Sequence, residues 1–235
     1  MAWYVYGITS VAEPNVPPAG LIGLVDEDIV LHGEGRLRVV ASSLHRSVPG
    51  LEHADAEQTL EAVRRHDDVL VRLSRTWPVL PVRFGTVLPD RDAVDQLLVD
   101  PDGRLAAMLA AVTGADEWMV RVDAEPFDPP DPAGTLDLPP GQAFFVRRRW
   151  QSEARADARN RATTVSSELH AHLRDLARQT CLLPVREAAT LARAAYLVDR
   201  DTTEAFLAAA ESISGVTVVV QGPLPPYRFV DRDAP

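Results

Sequence analysis

Residues 125–140, EPFDPPDPAGTLDLPP, contain six prolines, and the apolar periodicity found elsewhere in the chain disappears there. Proline fixes φ and removes a backbone donor, so this density favours an extended, semi-rigid spacer. At 235 residues, the chain is long enough for two modest domains that bury their cores without a disulfide or a metal. We therefore predict two domains, residues 1–124 and 141–235, joined by a proline-rich linker at residues 125–140.

The first predicted domain is an irregular α+β domain. β-Branched and aromatic residues predict strands at residues 2–9, 36–43 and 79–84 and from Trp118. In the third of these, Leu80, Val82 and Phe84 alternate on one face and Arg83 lies on the other. Steps of three, four and seven predict a helix over residues 56–77, with this apolar stripe: Ala56, Leu60, Val63, Leu70, Leu73 and Trp77. The HGEGR run from His32 predicts a hairpin turn, and Asp90 or Asp92 is expected to cap a helix.

The second predicted domain has a regular order of elements. GQAFFVR at residues 141–147 is predicted as a strand, followed by a long helix over residues 151–178. Strands at residues 182–187 and 191–199, a helix at 203–212 and a strand at 216–222 complete the order βαββαβ. This order predicts a ferredoxin-like domain with a long first helix. Core packing against the sheet is favoured for one stripe of that helix: Ala158, Ala162, Val165, Leu169, Leu173 and Leu176.

Composition excludes several classes of protein. A single cysteine, Cys181, cannot form an intramolecular disulfide or a CxxC metal or redox motif, which is typical of a reducing cytoplasm. The net charge of −10 disfavours broad nucleic-acid binding, and all 24 basic residues are arginine. There is no apolar run of 18 residues and no signal-peptide pattern, so we expect neither nucleic acid nor a membrane among the partners.

No motif in the sequence predicts a catalytic, cofactor or metal site. His66 falls within the apolar stripe of the first helix, and a hydrogen-bonded structural role is favoured over a buried ligand or base. His170 and His172 are two residues apart on a predicted helix and cannot share a metal ion as an i, i+4 pair would. Two carboxylate pairs are interpreted as a helix cap and a solvated tail, respectively: Asp199 with Asp201, and Asp231 with Asp233.

Positive charge gathers at the predicted start of the long helix. Against Glu153 and Asp157 stand six arginines, a local balance of +4: Arg147, Arg148, Arg149, Arg155, Arg159 and Arg161. Cations at a helix N-terminus oppose the macrodipole, so another interaction must favour them. Two explanations stay open, an acidic docking partner and pairing with carboxylates of the same chain. Arg83 has the same two explanations.

Prolines end the last predicted strand and present two aromatic residues. Pro223, Pro225 and Pro226 lack backbone donors, so the chain leaves the sheet there and exposes Tyr227 and Phe229. These rings are expected to close the sheet edge or to mediate domain packing. A partner site is the alternative.

Three stretches of this sequence resemble one protein family. They are WYVYGI from Trp3, VLPVRFGTV at residues 79–87 and VVVQGPLPPYRFV at residues 218–230, and GQAFFV and Tyr196 to Arg200 add to them. Together they resemble the gas vesicle protein GvpL/GvpF family over virtually the whole chain. Leu224 stands where the family often has tryptophan, and Phe144 and Phe145 replace a tyrosine and aliphatic pair.

The resemblance implies a non-enzymatic accessory protein for gas vesicle assembly. Its implied partners are the hydrophobic shell protein and other vesicle proteins, and its implied roles are chaperone, nucleator or minor wall component. The implied location is the gas vesicle, in the cytoplasm, with no cofactor. Because ferredoxin-like folds host many activities, a small-molecule binding or enzymatic module is the alternative. The residues predicted to contact partners are Arg83, Arg147, Arg148, Arg149, Arg155, Arg159, Tyr227 and Phe229.

Overall fold

A computed structural model describes residues 1–10, 16–45, 56–130, 132 and 138–230. It is a mixed α+β structure with two antiparallel sheets. The elements over the described residues, in chain order, are β1 (Ala2–Ser10), β2 (Ile29–His32), β3 (Leu37–Leu44), α1 (Ala56–Thr76), β4 (Val79–Pro81), β5 (Val87–Leu88), α2 (Arg91–Gln96), α3 (Arg104–Val112), β6 (Ala115–Ala124), α4 (Pro140–Asp175), β7 (Gln179–Leu182), β8 (Thr190–Asp199), α5 (Thr203–Glu211) and β9 (Val216–Leu224).

β1 is the centre of the first sheet. The strand order is β2-β3-β1-β4, β5 also pairs with β1, and the pairs are antiparallel. The register shifts between Val5 and Gly7 of β1. A Cβ atom on Gly7 would lie 2.8 Å from the Leu80 carbonyl oxygen, so glycine allows β4 to approach closely at this point. The sequence signal WYVYGI is therefore a central strand.

Helices cover both faces of β1, which explains its continuous apolar sequence. Tyr4 and Tyr6 pack with Leu70 and Leu73 of α1, whereas Val5 packs with Val94 of α2. The buried face of α1 differs from the predicted stripe, since Leu60 and Val63 are exposed. The residues of α1 that are buried are Ala62, His66, Val69, Leu70 and Leu73. Ala62 and His66 complete this buried face, and a pattern of large apolar residues does not include either of them.

Turn residues fit the positions that sequence indicates. Gly33 and Gly35, in the turn between β2 and β3, have positive φ, as predicted for the HGEGR run. Asp90 caps α2 by accepting a hydrogen bond from the Ala93 N–H at 2.9 Å. The predicted strand at residues 79–84 is shorter, because β4 ends at Pro81 and a turn with Gly85 at φ 87° follows.

The second sheet has the strand order β7-β8-β6-β9. One side of it forms a core with α4 and α5, in which Leu169 and Leu173 of α4 and Phe206 of α5 pack with Tyr196 and Val198 of β8. Five of the six residues of the predicted stripe on the long helix lie in this core, and Ala158 is half-buried outside it. Ala162, Leu169 and Leu173 are buried, and Val165 and Leu176 pack against them.

The prediction of a strand at residues 141–147 is wrong. These residues lie in α4, which begins at Pro140. Proline suits the first turn of a helix because the missing N–H would have no intrahelical partner, and the following glutamine, alanine and arginines favour a helix. The strand that precedes α4 in this sheet is β6. The strand predicted at residues 182–187 is also displaced, since β7 ends at Leu182.

The chain forms two compact units. The first comprises Met1–Glu117 and Pro223–Pro235, and the second comprises Trp118–Gly222. In this division β6 contributes to the second sheet, and the described residues after Gly222 belong to the first unit. The transition falls inside β6, after Glu117.

Candidate functional site

Two of the stretches that carry the family resemblance, and the C-terminal end of the third, contact α1 in the first unit. His66 of α1 is buried, and its Nδ1 accepts a hydrogen bond from the Tyr4 hydroxyl of β1 at 2.9 Å. The Val82 carbonyl accepts from the other side of the imidazole. The Tyr4 oxygen in turn accepts from the Gly85 N–H at 3.2 Å. The motif at residues 79–87 thus fixes the tautomer of His66 and joins the helix to β1.

Aromatic rings enclose this histidine. Its ring stacks on Tyr6 with centroids 5.6 Å apart, and its edge contacts Phe84 at the same centroid distance. Burial lowers the pKa of His66 to about 4, so the imidazole is neutral at pH 7. The favoured interpretation of His66 as a hydrogen-bonded structural residue agrees with this geometry.

The C-terminal segment, residues 224–230, packs on the same part of the first unit. Pro225 and Pro226 are buried, and the Tyr227 ring packs against the core that contains Tyr4 and Tyr6. The Tyr227 hydroxyl donates to the Asp67 carboxylate, the neighbour of His66 on α1. Burial, and then the Asp67 carboxylate, raise the pKa of Tyr227.

A buried carboxylate holds the backbone of this segment. Glu117, at 1% exposure, accepts a hydrogen bond from the Arg228 N–H at 2.7 Å. Burial raises the pKa of Glu117 to about 7, and the N–H and charge of Arg228 act in the opposite direction. Sequence reasoning missed Glu117. Its one signal was its position in β6, two residues after the buried Ala115, which places both side chains on the same face.

The other predicted contact residues of the first unit lie near this site. Arg83 is exposed, and its carbonyl accepts from the Thr86 hydroxyl at 2.7 Å, which closes the turn after β4. Phe229 is half-buried, and its N–H donates to the Pro226 carbonyl at 3.2 Å. Tyr227 and Phe229 therefore belong to a folded turn of the first unit.

The first part of α4 forms a second candidate surface, which we call the α4 arm, residues 140–161. Every residue of α4 is described, and none before Ala162 is buried. Phe144 is 54% exposed and Phe145 is 71% exposed, and Val146 beside them is exposed as well. The two phenylalanine rings contact each other edge to face at 5.7 Å. The arm therefore presents an aromatic patch that its own unit does not cover.

Arginines follow this patch directly. Arg147 is half-buried, Arg148 and Arg149 are exposed, and all three lie about two turns from the start of α4. The predicted conflict with the helix macrodipole does not arise at this depth, because that effect fades beyond the first turn. Their charge lies beside the exposed aromatic rings, which makes the surface both cationic and apolar.

Pairing within the chain accounts for part of the arginine cluster. Arg149 pairs with Glu153 at 2.8 Å, and Arg155 pairs with Asp128 at 2.9 Å. Arg159 donates to the Ala188 carbonyl at 2.9 Å. Further along the arm, arginines border a groove of about 570 Å³ in the second unit, together with Glu125 and Phe127. The arginines on this groove are Arg155, Arg159 and Arg161.

The remaining residues considered for chemistry have structural roles. Nδ1 of His170 and the Tyr196 hydroxyl form a hydrogen bond of 2.6 Å, and Cys181 lies in β7. The Asp199 carboxylate pairs with Arg178 and does not cap α5, whose N-cap residue is Thr202. Asp231 and Asp233 lie outside the described residues.

Metal-ligand clusters and membrane-spanning helices are absent from the described part of the chain. Over residues 1–10, 16–45, 56–130, 132 and 138–230, no group of three or more histidine, cysteine, aspartate or glutamate side chains could hold a metal ion. Across the same ranges, no helix has the length and apolar content needed to cross a membrane.

Comparison with known proteins gives a consistent result. A model of the family described as gas vesicle synthesis protein GvpL/GvpF matches residues 2–231. The chain is 30% identical to gas vesicle protein L of Streptomyces sp. (strain CB03234) over 244 residues, which cover 96% of this chain and 91% of that protein. It is 27% identical to gas vesicle protein F of the same strain over 256 residues, which cover 98% and 100% of the two chains.

Solved structures of two relatives share the fold. The crystal structure of the gas vesicle protein GvpF from Anabaena sp. PCC7120 has a TM-score of 0.68 at 16% identity and covers 98% of this chain and 96% of that chain. The crystal structure of GvpF from Microcystis aeruginosa has a TM-score of 0.66 at 15% identity and covers 98% and 99%.

Proposed function

The chain belongs to the gas vesicle protein GvpL/GvpF family and so has a role in gas vesicle assembly, and we propose that it is a non-enzymatic accessory protein that binds the hydrophobic shell protein. In this role it acts as a chaperone, a nucleator or a minor wall component, at the gas vesicle in the cytoplasm. Other vesicle proteins are further proposed partners.

The observation that carries the proposal is the exposed aromatic patch on the α4 arm. A shell subunit must present a water-repelling face to gas, yet it is made in water, where large apolar patches aggregate. Phe144, Phe145 and Val146 offer an apolar surface for such a face. The adjacent arginines are suited to carboxylates at its margin, because guanidinium groups form paired hydrogen bonds with them.

The proposed contact residues lie in each of the two units. They are the arm arginines Arg147, Arg148, Arg149, Arg155 and Arg159, and Arg83 in the first unit. Tyr227 and Phe229, in the C-terminal segment, are also proposed as partner contacts.

We also propose that the second unit is a ferredoxin-like domain. The element order from β6 to β9 is βαββαβ, and the strand order β7-β8-β6-β9 supports this topology. We also keep the predicted proline-rich linker at residues 125–140 as a proposal; these residues connect β6 to α4.

Capture of the shell protein tests the aromatic patch. The double variant F144S/F145S, co-expressed with the shell protein, is expected to capture about tenfold less of it than the wild type, because the anchoring rings are lost. The matched control is L182S/V185S, which removes two exposed apolar side chains from the same unit, 69% and 44% exposed. We expect the control to capture the shell protein like the wild type.

Equal capture of the shell protein by F144S/F145S and the wild type would contradict binding through the α4 arm. The broader proposal is tested by deleting the gene in a buoyant host. Normal flotation without the gene, together with turnover of a metabolite by the pure protein, would favour the enzymatic alternative.

A further inference from the structure

We propose that the first unit carries a receptor surface for a proline-proline-tyrosine segment, and that the C-terminal segment of a second copy of this chain can occupy it. We define the receptor surface by Asp67 of α1, Glu117 of β6 and the aromatic core beside them. In the structure, the chain's own C-terminal segment occupies this surface. The proposal is independent of the shell protein and of the α4 arm.

The segment is held by contacts that select its sequence. The Tyr227 hydroxyl donates to Asp67, and the Arg228 N–H donates to Glu117. The buried Pro225 and Pro226 precede them. The first contact is specific for the tyrosine hydroxyl, and the second binds the backbone. The two prolines restrict the unbound segment, so that less conformational entropy is lost on docking. This combination fits recognition of a short, proline-restricted turn.

Glu117 supports a binding role for this surface. A buried carboxylate costs free energy unless a hydrogen bond compensates it. The N–H that donates to Glu117 belongs to Arg228, which lies 111 residues away in sequence. The Glu117 carboxyl therefore receives this hydrogen bond only when a C-terminal segment is bound to the receptor surface.

The connection to the segment permits an exchange between copies. β9 belongs to the second unit up to Gly222, whereas the residues after it belong to the first. Gln221, Gly222 and Pro223 are exposed. A terminal segment that follows an exposed connection and packs on a separate unit is the kind of element that two copies can swap, since both partners supply identical contacts.

Concentration decides which occupant is bound. A short tether gives the chain's own segment an effective concentration of about millimolar. The segment of a second copy competes when copies are brought together at a comparable local concentration.

Disulfide trapping with full-length chains tests the second copy. Chains with Cys181→Ser and Asp67→Cys are mixed at high concentration with isotopically heavy chains that carry Cys181→Ser and Tyr227→Cys, and the mixture is oxidised. We expect a linked pair of one light and one heavy chain, joined between positions 67 and 227. Heavy chains with Ser152→Cys instead of Tyr227→Cys are the control. The proposal of a second copy is overturned if the Tyr227→Cys chains give no more mixed dimer than this control.

Peptide binding tests the receptor surface. The probe is a fluorescein-labelled peptide with the sequence of residues 222–230, GPLPPYRFV, added to full-length protein. We expect the Tyr227→Phe chain to bind this probe about tenfold more tightly than the wild type, because its own segment has lost the hydrogen bond to Asp67 and competes less well. A peptide with phenylalanine in place of the tyrosine is expected to bind more weakly than the probe.

Each peptide outcome is decisive. Tyr227→Phe keeps the ring and the fold, which circular dichroism checks. Equal binding of the probe to both chains, or equal binding of both peptides, overturns the receptor. Specific peptide binding without a mixed dimer supports the receptor and overturns the second copy. Neither disulfide trapping nor peptide binding includes the shell protein. A negative result in either therefore leaves the proposed binding of the shell protein unaffected.

Discussion

Glu117 and His66 are buried side chains whose protonation makes stability depend on pH in opposite directions. The pKa of Glu117 is raised to about 7 from 4.5, so the folded state holds a proton that the unfolded state releases, and stability falls as pH rises between these values. The pKa of His66 is lowered to about 4 from 6.5, so stability falls as pH drops through that window. The two effects narrow the pH range of maximal stability.

The variant E117Q separates the two effects. Glutamine retains an oxygen acceptor for Arg228 and carries no charge, so it is expected to match neutral Glu117 below pH 4.5. The free energy of unfolding of E117Q relative to the wild type is expected to rise with pH and to reach roughly 3 kcal/mol above pH 7, at about 1.4 kcal/mol for each pKa unit. Urea denaturation between pH 4 and pH 8 measures this difference.

The control for this prediction is E168Q, which alters an exposed glutamate of α4. Its difference from the wild type is expected to stay below about 0.5 kcal/mol at every pH. A difference between E117Q and the wild type that does not change with pH would contradict the assignment of Glu117.

Sequence could predict part of the site at the scale of residues. The helix position of His66 was sufficient to expect a hydrogen-bonded histidine, because polar side chains within a buried stripe need partners. Its partners Tyr4 and Val82 lie 62 and 16 residues away in the chain, which local patterns do not encode. The burial of Glu117 depends on coverage by the C-terminal segment and was not predictable for the same reason.

At the scale of elements, α4 differs most from its prediction. Phe144, Phe145 and Val146 form a short apolar run, which periodicity cannot assign to a strand or to a helix. The sequence predicts a strand there because three consecutive apolar residues fit a buried strand better than an exposed helix. The C-terminal half of α4 was predictable, since its apolar stripe packs on the sheet. The α4 arm lacks such a stripe and extends over about 33 Å at 1.5 Å per residue.

Charge reversal tests the cationic part of the α4 arm. We expect R148E/R149E to change the free energy of unfolding by less than about 1 kcal/mol, because both side chains are exposed. Capture of the shell protein is expected to fall for the variant at low salt. It should differ little from the wild type at 1 M salt, where the screening length is about 3 Å. Titration of capture against salt concentration measures both effects.

A control for charge reversal outside the arm lies further along the same helix. R174E reverses one exposed arginine of α4 outside the arm. Loss of capture in R174E equal to that in R148E/R149E would indicate a general effect of net charge instead of a local contact.

At the scale of the whole molecule, the chain passes from one compact unit to the other twice, after Glu117 and after Gly222. The proline-rich stretch was a clear local signal, but composition does not reveal which sheet a strand joins. β6 was predicted as the last strand of the first domain, and it pairs in the second sheet. Pairing between distant strands is a property of the whole chain, so a local pattern could not predict it.

Truncation after Gly222 tests the dependence of the first unit on the segment that returns to it. Without residues 223–235, amide protons of α1 and β1 are expected to exchange faster, because the cover over Tyr4 and Glu117 is lost. Those of β8 and of the C-terminal half of α4 are expected to stay protected. Hydrogen exchange read by mass spectrometry measures each segment, and equal losses in both units would contradict this expectation.

The discontinuous first unit also sets an order of events during translation. Every residue of the second unit leaves the ribosome before Pro223 does, whereas the first unit waits for the residues that follow. Since domains fold as units while the chain is made, a nascent chain completes its second unit earlier than its first. Each new molecule therefore spends a short period with Asp67 and Glu117 uncovered. During this period the C-terminal segment of another copy of the chain can reach them.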